Sequence, residues 1–237
     1  MQNLQDQTVA QIVTQNIKSA DVFKKHGIDF CCGGNVSVTK ACQRKGVDVA
    51  QFTEELNQAL TNEIATHNYD SWGLGFLIDF IENNHHTYVR ENIEILIQYT
   101  QRVAEVHGEL HPEVIRINEL SEALVAELVP HLEKEEQILF PFVKKLLTLK
   151  KEGLKIEEKF VQSPISVMQQ EHDHAGDIIK EIAQLSNNFT PPEGACNTYK
   201  AMYAKLEEFQ NDLFQHIHLE NNILFPKAVI LEEEISL

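Results

Sequence analysis

HLEKEEQILFP, residues 131–141, returns eighty-five residues later as HIHLENNILFP, residues 216–226. The copies agree at six of eleven positions: His, Glu, Ile, Leu, Phe and Pro. Each carries a His and a Glu four residues apart, His131 with Glu135 and His216 with Glu220. Residues i and i+4 lie on one face of an α-helix, so each copy presents an imidazole and a carboxylate side by side. Working outward, Leu120, Leu124, Leu128, His131, Glu135, Ile138 and Phe142 recur in steps of three and four. So do Leu206, Phe209, Leu213, His216, Glu220 and Ile223 or Leu224. That spacing is the apolar stripe of a core-facing helix, which points both His–Glu pairs inward among leucines. Pro130 removes the bond to the Ala126 carbonyl and is expected to kink the first helix beside His131. Gln215 precedes His216 in the second copy, so any departure from symmetry is expected at Pro130.

The same periodicity predicts four long helices at about 72–106, 112–149, 164–188 and 195–230. His107-Gly108 with Pro112, the charged stretch 150–163, and Asn187-Asn188 with Pro191, Pro192 and Gly194 mark the turns between them. Short turns between long amphipathic helices predict an up-down-up-down bundle, here over residues 72–232. Residues 1–66 read as a separate small helical domain. Val9, Ile12, Val13, Ile17 and Val22 give a helix or helix pair that His26-Gly27 ends. The turn DFCCGGN follows at 29–35, then a short helix capped by Ser37 or Thr39 and ended by Gly46, then one opened by Asp48 and running to about Ala65. His67 to Ser71 form a polar joint. The fold class expected is all-α.

Composition narrows the function. The chain has 237 residues and a net charge of −16, which argues against nucleic acid and anionic membranes as partners. No run of about 18 apolar residues marks a membrane span, and the N-terminus lacks the pattern of a secretory signal. Cysteines at 31, 32, 42 and 196 do not form a disulfide framework. A cytoplasmic location with reduced thiols is expected.

An unpaired carboxylate in an apolar core is costly, and two with several imidazoles are costlier. A cation offsets this directly, and His nitrogen with Glu oxygen suits iron, manganese or zinc. If the bundle is a doubled hairpin, the first helix of each half supplies a matching ligand. His86 precedes His131 by 45 residues and His172 precedes His216 by 44. Four His and two Glu then fit two metal ions, each with two imidazoles, bridged by two carboxylates. His85 rivals His86: upstream Leu74, Ile78 and Ile81 favour His85, downstream Val89, Ile93 and Leu96 favour His86, and the repeat offset favours His86. Glu171 and Asp173 flank His172, as orienters of an imidazole or as surface charges. His174 and His218 fall off the stripe and are expected in solvent or beside the site. His107 and His111 are expected to be ordinary surface residues, and Trp72 a packing residue. Cys31-Cys32 reads either as a redox-active or iron-transferring thiol pair or as two small residues beside a Gly-Gly turn. Cys42 and Cys196 read as inert small hydrophobes.

The H…HxxxE…H…HxxxE arrangement resembles the haemerythrin-like di-iron bundle. FCCGG (30–34), HLEKEEQILFP, SVMQQEHDHAG (166–176), NNFTPPEGAC (187–196) and HLENNILFP (218–226) resemble the repair-of-iron-centres proteins over nearly the whole chain, with a ScdA-type N-terminal domain carrying the vicinal cysteines. That resemblance implies two non-haem iron ions held by His86, His131, Glu135, His172, His216 and Glu220, with Glu135 and Glu220 as bridges. It also implies repair of Fe–S clusters damaged by oxidative or nitrosative stress, by iron delivery to Fe–S proteins or apo-scaffolds. The alternatives are reduction of nitric oxide at a diferrous site fed by an external electron donor, and haemerythrin-like binding or sensing of O2. Against oxygen carriage, Glu220 stands four residues after His216, where haemerythrins proper have an Asp five after the last His. A homodimer is compatible with each of these.

Overall fold

The structure is a computed structural model that describes residues 4–61 and 68–237. Among the described residues there is no strand; two isolated bridges, Thr8 with Ser37 and Ile156 with Ser236, are the only β pairing. Helices α1 (Val9–Gln15) and α2 (Ser19–Lys25) are the expected pair. Thr8 and Gln11 close a capping box on α1, and Gly27 follows α2 with φ 64°. Helix α3 (Val38–Lys45) takes its cap from Ser37 and ends at Gly46, φ 67°. Helix α4 (Val49–Thr61) starts where Asp48 accepts a bond from the Gln51 amide at 2.8 Å. The expected run to Ala65, the boundary near 66 and the His67 end of the joint lie outside the described residues.

Four long helices follow, and three of them contain a π turn. Helix α5 is made of Leu74–Phe80, the π turn Ile81–His86 and Thr87–His107. Helix α6 is Glu113–Lys134, the π turn Glu135–Leu139 and Phe140–Glu152. Helix α7 is regular, Gln162–Leu185. Helix α8 is Asn197–Leu219, the π turn Glu220–Leu224 and Phe225–Ile235. Neighbouring helices pack around a closed square, α5 on α6, α6 on α7, α7 on α8 and α8 on α5. Asn187, Asn188 and Phe189 turn the chain between α7 and α8 with φ of 49°, 51° and 56°.

A π turn holds one residue more than an α turn, which rotates everything downstream by about 100°. This resolves the two conflicting periodicities of α5. Ile78 and Ile81 upstream and Val89 and Leu96 downstream are all buried, and so are both His85 and His86. Asn83 and Asn84 support the turn locally: their side-chain amides donate to the carbonyls of Asp79 (2.6 Å) and Phe80 (2.8 Å). The same shift corrects the stripe expected on α6. Ile138 is 50% exposed, while Leu139, Phe140, Val143 and Leu146 fill the core and Phe142 is only half-buried.

The kink expected at Pro130 does not displace His131, because α6 continues through it to Lys134. Pro130 and Ala126 are both exposed, so water reaches the carbonyl that the proline leaves unpaired. The core has two apolar clusters. One joins Val9, Phe23, Phe30 and Phe52 of the N-terminal helices to Leu96, Leu124, Ile179 and Leu213 of the bundle. The other contains Leu77, Ile81, Phe140, Met168 and Phe225. The repeated His and Glu residues lie between them. Among the described residues, no helix is long and apolar enough to cross a membrane.

Candidate metal centre

His86 ends the π turn of α5, and Glu135 and Glu220 each begin one, so the wide turns sit where the polar side chains enter the core. His131 and His216 stand one turn before their glutamates, and His172 faces them from α7. All six residues are at most 3% exposed. They form two overlapping groups whose ligand atoms lie within 4.8 Å of one another: His86, Glu135, His216 and Glu220, and His131, Glu135, His172 and Glu220. Both glutamates belong to both groups. His86 Nε2 and His131 Nε2 are 3.4 and 3.5 Å from Glu135 Oε2. His172 Nε2 is 3.2 Å from Glu220 Oε2, and His216 Nε2 is 3.1 Å from Glu220 Oε1.

The outward nitrogens are held differently. His86 Nδ1 donates to Glu136 Oε1 at 2.7 Å, and Arg90 grips both Glu136 oxygens at 2.8 and 2.9 Å. His131 Nδ1 donates to Glu171 Oε2 at 2.9 Å, and Lys134 pairs with the same carboxylate. His172 Nδ1 donates to Asn221 Oδ1 at 3.0 Å. Such acceptors fix the tautomer that turns the Nε2 lone pair inward. His216 Nδ1 has no acceptor; its ring stacks on His85, centroids 5.4 Å apart.

This geometry fits a cation. Both oxygens of Glu135 and of Glu220, together with His86 Nε2 and His216 Nε2, are buried without a hydrogen-bond partner. His131 Nε2 and His172 Nε2 face each other at 3.1 Å while their Nδ1 protons are donated elsewhere. Two lone pairs converging at that distance need a positive charge between them. Burial, then the neighbouring His216, pushes His86 down to about 4; burial, then His172, does the same to His131. His86 and His131 are therefore neutral and able to ligate at pH 7, whereas burial, which lowers His216, is outweighed by the Glu220 carboxylate, which holds it up. Burial and the Glu220 carboxylate push Glu135 well up. Burial works to raise Glu220 as well, but His216 and His172 outweigh it and hold it low. The cluster is suited to a metal site. A cavity of ≈ 10 Å³, about one water molecule in size, is lined by His131, Glu171, His172 and His216 with Glu127, Leu128, Ala175, Leu213 and Ile217.

The remaining candidates fall outside the two groups. Glu171 bonds His131, on the neighbouring helix, whereas Asp173 is exposed. Cys31 is buried and Cys32 half-buried, with the sulfurs 3.8 Å apart. Cys32 Sγ donates to the His172 carbonyl at 3.6 Å. The Cys31 thiol is pushed well up by its bond to Cys32, by burial and by Asp29. His174 is exposed, but His218 is fully buried. Its Nδ1 donates to the Phe30 carbonyl at 3.3 Å, and Asn222 donates to the Cys31 carbonyl at 3.1 Å, tying the cysteine loop to α8. Cys196 is exposed with its sulfur 3.3 Å from His107 Nε2, so it is not a buried hydrophobe. Glu136, Asn221 and Asp212 were missed from sequence. The repeat itself held a signal for the first two, since each directly follows a repeated glutamate and each orients an imidazole of another helix.

Residues 78–228 match the haemerythrin HHE cation-binding domain. Residues 5–60 match the family described as ScdA_N, a domain of unknown function (DUF542). The chain is 38% identical over 214 residues to the iron-sulfur cluster repair protein YtfE of Yersinia pseudotuberculosis serotype IB (strain PB1/+), covering 90% of this chain and 91% of that protein. It is 38% identical over 214 residues, with the same coverage, to the protein of that name from Yersinia pestis (strain Pestoides F).

Proposed function

This chain belongs to the family of iron-sulfur cluster repair proteins built on a haemerythrin HHE cation-binding domain, and on that premise we propose that it binds two iron ions and delivers iron to damaged Fe–S clusters. The observation that carries the reading is the pair of buried His–Glu groups sharing Glu135 and Glu220. His86 and His216 would hold one ion and His131 and His172 the other, with Glu135 and Glu220 belonging to both groups. Iron here is cargo. Carboxylate and imidazole donors hold ferrous iron less tightly than the thiolates of a cluster do, so transfer to a cluster runs downhill. Glu136, Glu171 and Asn221 keep the inward lone pairs aimed, and the two apolar clusters exclude bulk water. Cys31 and Cys32 lie against the His172 backbone, and on this reading they are a redox-active or iron-accepting thiol pair. The recipients are Fe–S proteins or their apo-scaffolds.

The test is to incubate the iron-loaded protein with an apo Fe–S enzyme and sulfide. Recovery is expected to be faster than with an equal amount of free ferrous iron; equal or slower recovery overturns delivery. A second reading rests on the cavity beside His131, His172 and His216, about one water molecule in size, which marks where a small ligand would approach the ions. Bound ferrous iron would supply the two electrons that, with two protons, convert two molecules of nitric oxide to nitrous oxide and water, and an external donor would replenish them. Nitrous oxide formed anaerobically by the reduced protein supports that reading; stoichiometric binding without product counts against it.

A further inference from the structure

The two halves of the site are not equivalent. The repeat pairs His86 with His172 and Glu136 with Asn221, and each equivalent residue does the same work on its own side. The residue before His172 is Glu171, whose carboxylate accepts from His131 Nδ1 at 2.9 Å. The residue before His86 is His85, which stands in the equivalent place over His216. An imidazole there stacks rather than accepts: the rings are 5° from parallel. His85 directs its own Nδ1 to Asp212 Oδ1 at 2.8 Å, and its Nε2 is buried without a partner. His216 Nδ1 is thereby the one outward nitrogen of the four ligand imidazoles that finds no acceptor. Symmetry thus breaks at His85, not at Pro130.

An acceptor on the outward nitrogen orients a ligand imidazole and raises its basicity, and losing it typically weakens metal affinity 10–100-fold. We infer that the His86–His216 position is the weaker of the two, that His85 sets this inequality, and that this ion is the one released to a recipient. The inference rests on the two-ion reading above. The ion between His131 and His172, with Glu171 and Asn221 behind both imidazoles, is the retained one. His85 is a positioning residue: it acts through His216 by withholding an acceptor.

The experiment begins with metal content after anaerobic loading with ferrous iron and desalting. Fewer than two ions per chain overturns the two-ion reading itself, and this inference with it. With two bound, release to an excess of a chromogenic ferrous chelator is expected in two phases of equal amplitude, separated about tenfold or more in rate. In His85→Gln the new amide donates to Asp212 and its oxygen accepts from His216 Nδ1, so the fast phase slows about tenfold toward the slow one. His85→Glu, which copies Glu171, is the second variant should the first fold poorly. In Glu171→Leu, which leaves His131 Nδ1 without an acceptor, the slow phase speeds up and the two phases merge. Anomalous scattering from crystals of the half-depleted protein is expected at His131–His172. Single-phase release from a two-ion protein, a fast phase unmoved by both His85 variants, or density remaining at His86–His216 overturns the inference.

Discussion

Glu135 and Glu220 have no hydrogen-bond donor of their own in the core, so their charge is answered only by the imidazoles and by whatever cation the site holds. Replacing Glu135 with Gln keeps its volume and removes a charge that both groups use. Glu135→Gln is therefore expected to abolish two-ion occupancy, measured as iron per chain, while far-UV circular dichroism stays helical. Occupancy unchanged at two would show that Glu135 bridges nothing. The imidazoles give a pH dependence to the metal-free protein. His86 and His131 fall from an unfolded value near 6.5 to about 4 in the folded state. Between those values the unfolded chain binds more protons, so stability is lost as pH drops from 6.5 toward 4. Each residue contributes on the order of 3 kcal/mol to that loss. Glu135 and His216 are shifted up and work the other way, so urea unfolding of the metal-free protein across this range is compared with that of a His86→Leu, His131→Leu double variant, and identical pH profiles contradict it.

At the scale of the helix, the π turns decide which residues meet. Four helices and their turns were legible in the sequence because apolar residues recur at helical spacing over more than twenty residues in each. The His–Glu repeat was legible for the same reason. The π turns were not read, although α5 carried their signature: two apolar series out of phase by one residue, meeting at His85-His86. A one-residue phase change in a long amphipathic run is the mark of an inserted residue, and Asn83-Asn84 supplies the amides that cap the widened turn. Orienting contacts such as Glu136 to His86 depend on how helices face each other, which spacing within one helix does not contain. Deleting Asn84 removes the inserted residue, so α5 becomes a regular helix on which Ile78, Ile81, Val89 and Leu96 share one stripe, without the wide turn that admits both His85 and His86. Bound iron is expected to fall while the helix stays folded, measured by metal analysis and thermal unfolding; unchanged iron content would show that the wide turn does not place His86. Pro130→Ala is the contrasting change. It restores a helical N–H at an exposed site, so it is expected to raise the melting temperature, by about 1 kcal/mol or more in stability, and leave iron content alone.

At the scale of the whole molecule, the N-terminal helices are part of the bundle's core. The sequence reads as a separate small helical domain there, and in the structure Val9, Phe23, Phe30 and Phe52 reach burial by joining the cluster around Leu96, Ile179 and Leu213. Polar links reinforce the join: Lys180 pairs with Asp29 at 2.7 Å on α7, and His218 donates to the Phe30 carbonyl on α8. Phe30 sits at the centre, its ring edge-on to Phe214 with centroids 6.1 Å apart. Truncating it removes apolar contact from both partners at once, and Phe→Ala changes in cores cost about 3–5 kcal/mol. If the two parts open together, Phe30→Ala lowers amide protection in α3 and in α7 by similar amounts in native-state hydrogen exchange. If the N-terminal helices open alone, α3 loses protection and α7 keeps it. The shared core and the buried His218 predict the first outcome, and the second would mean that the cysteine loop leaves α8 without disturbing the helices that hold the site.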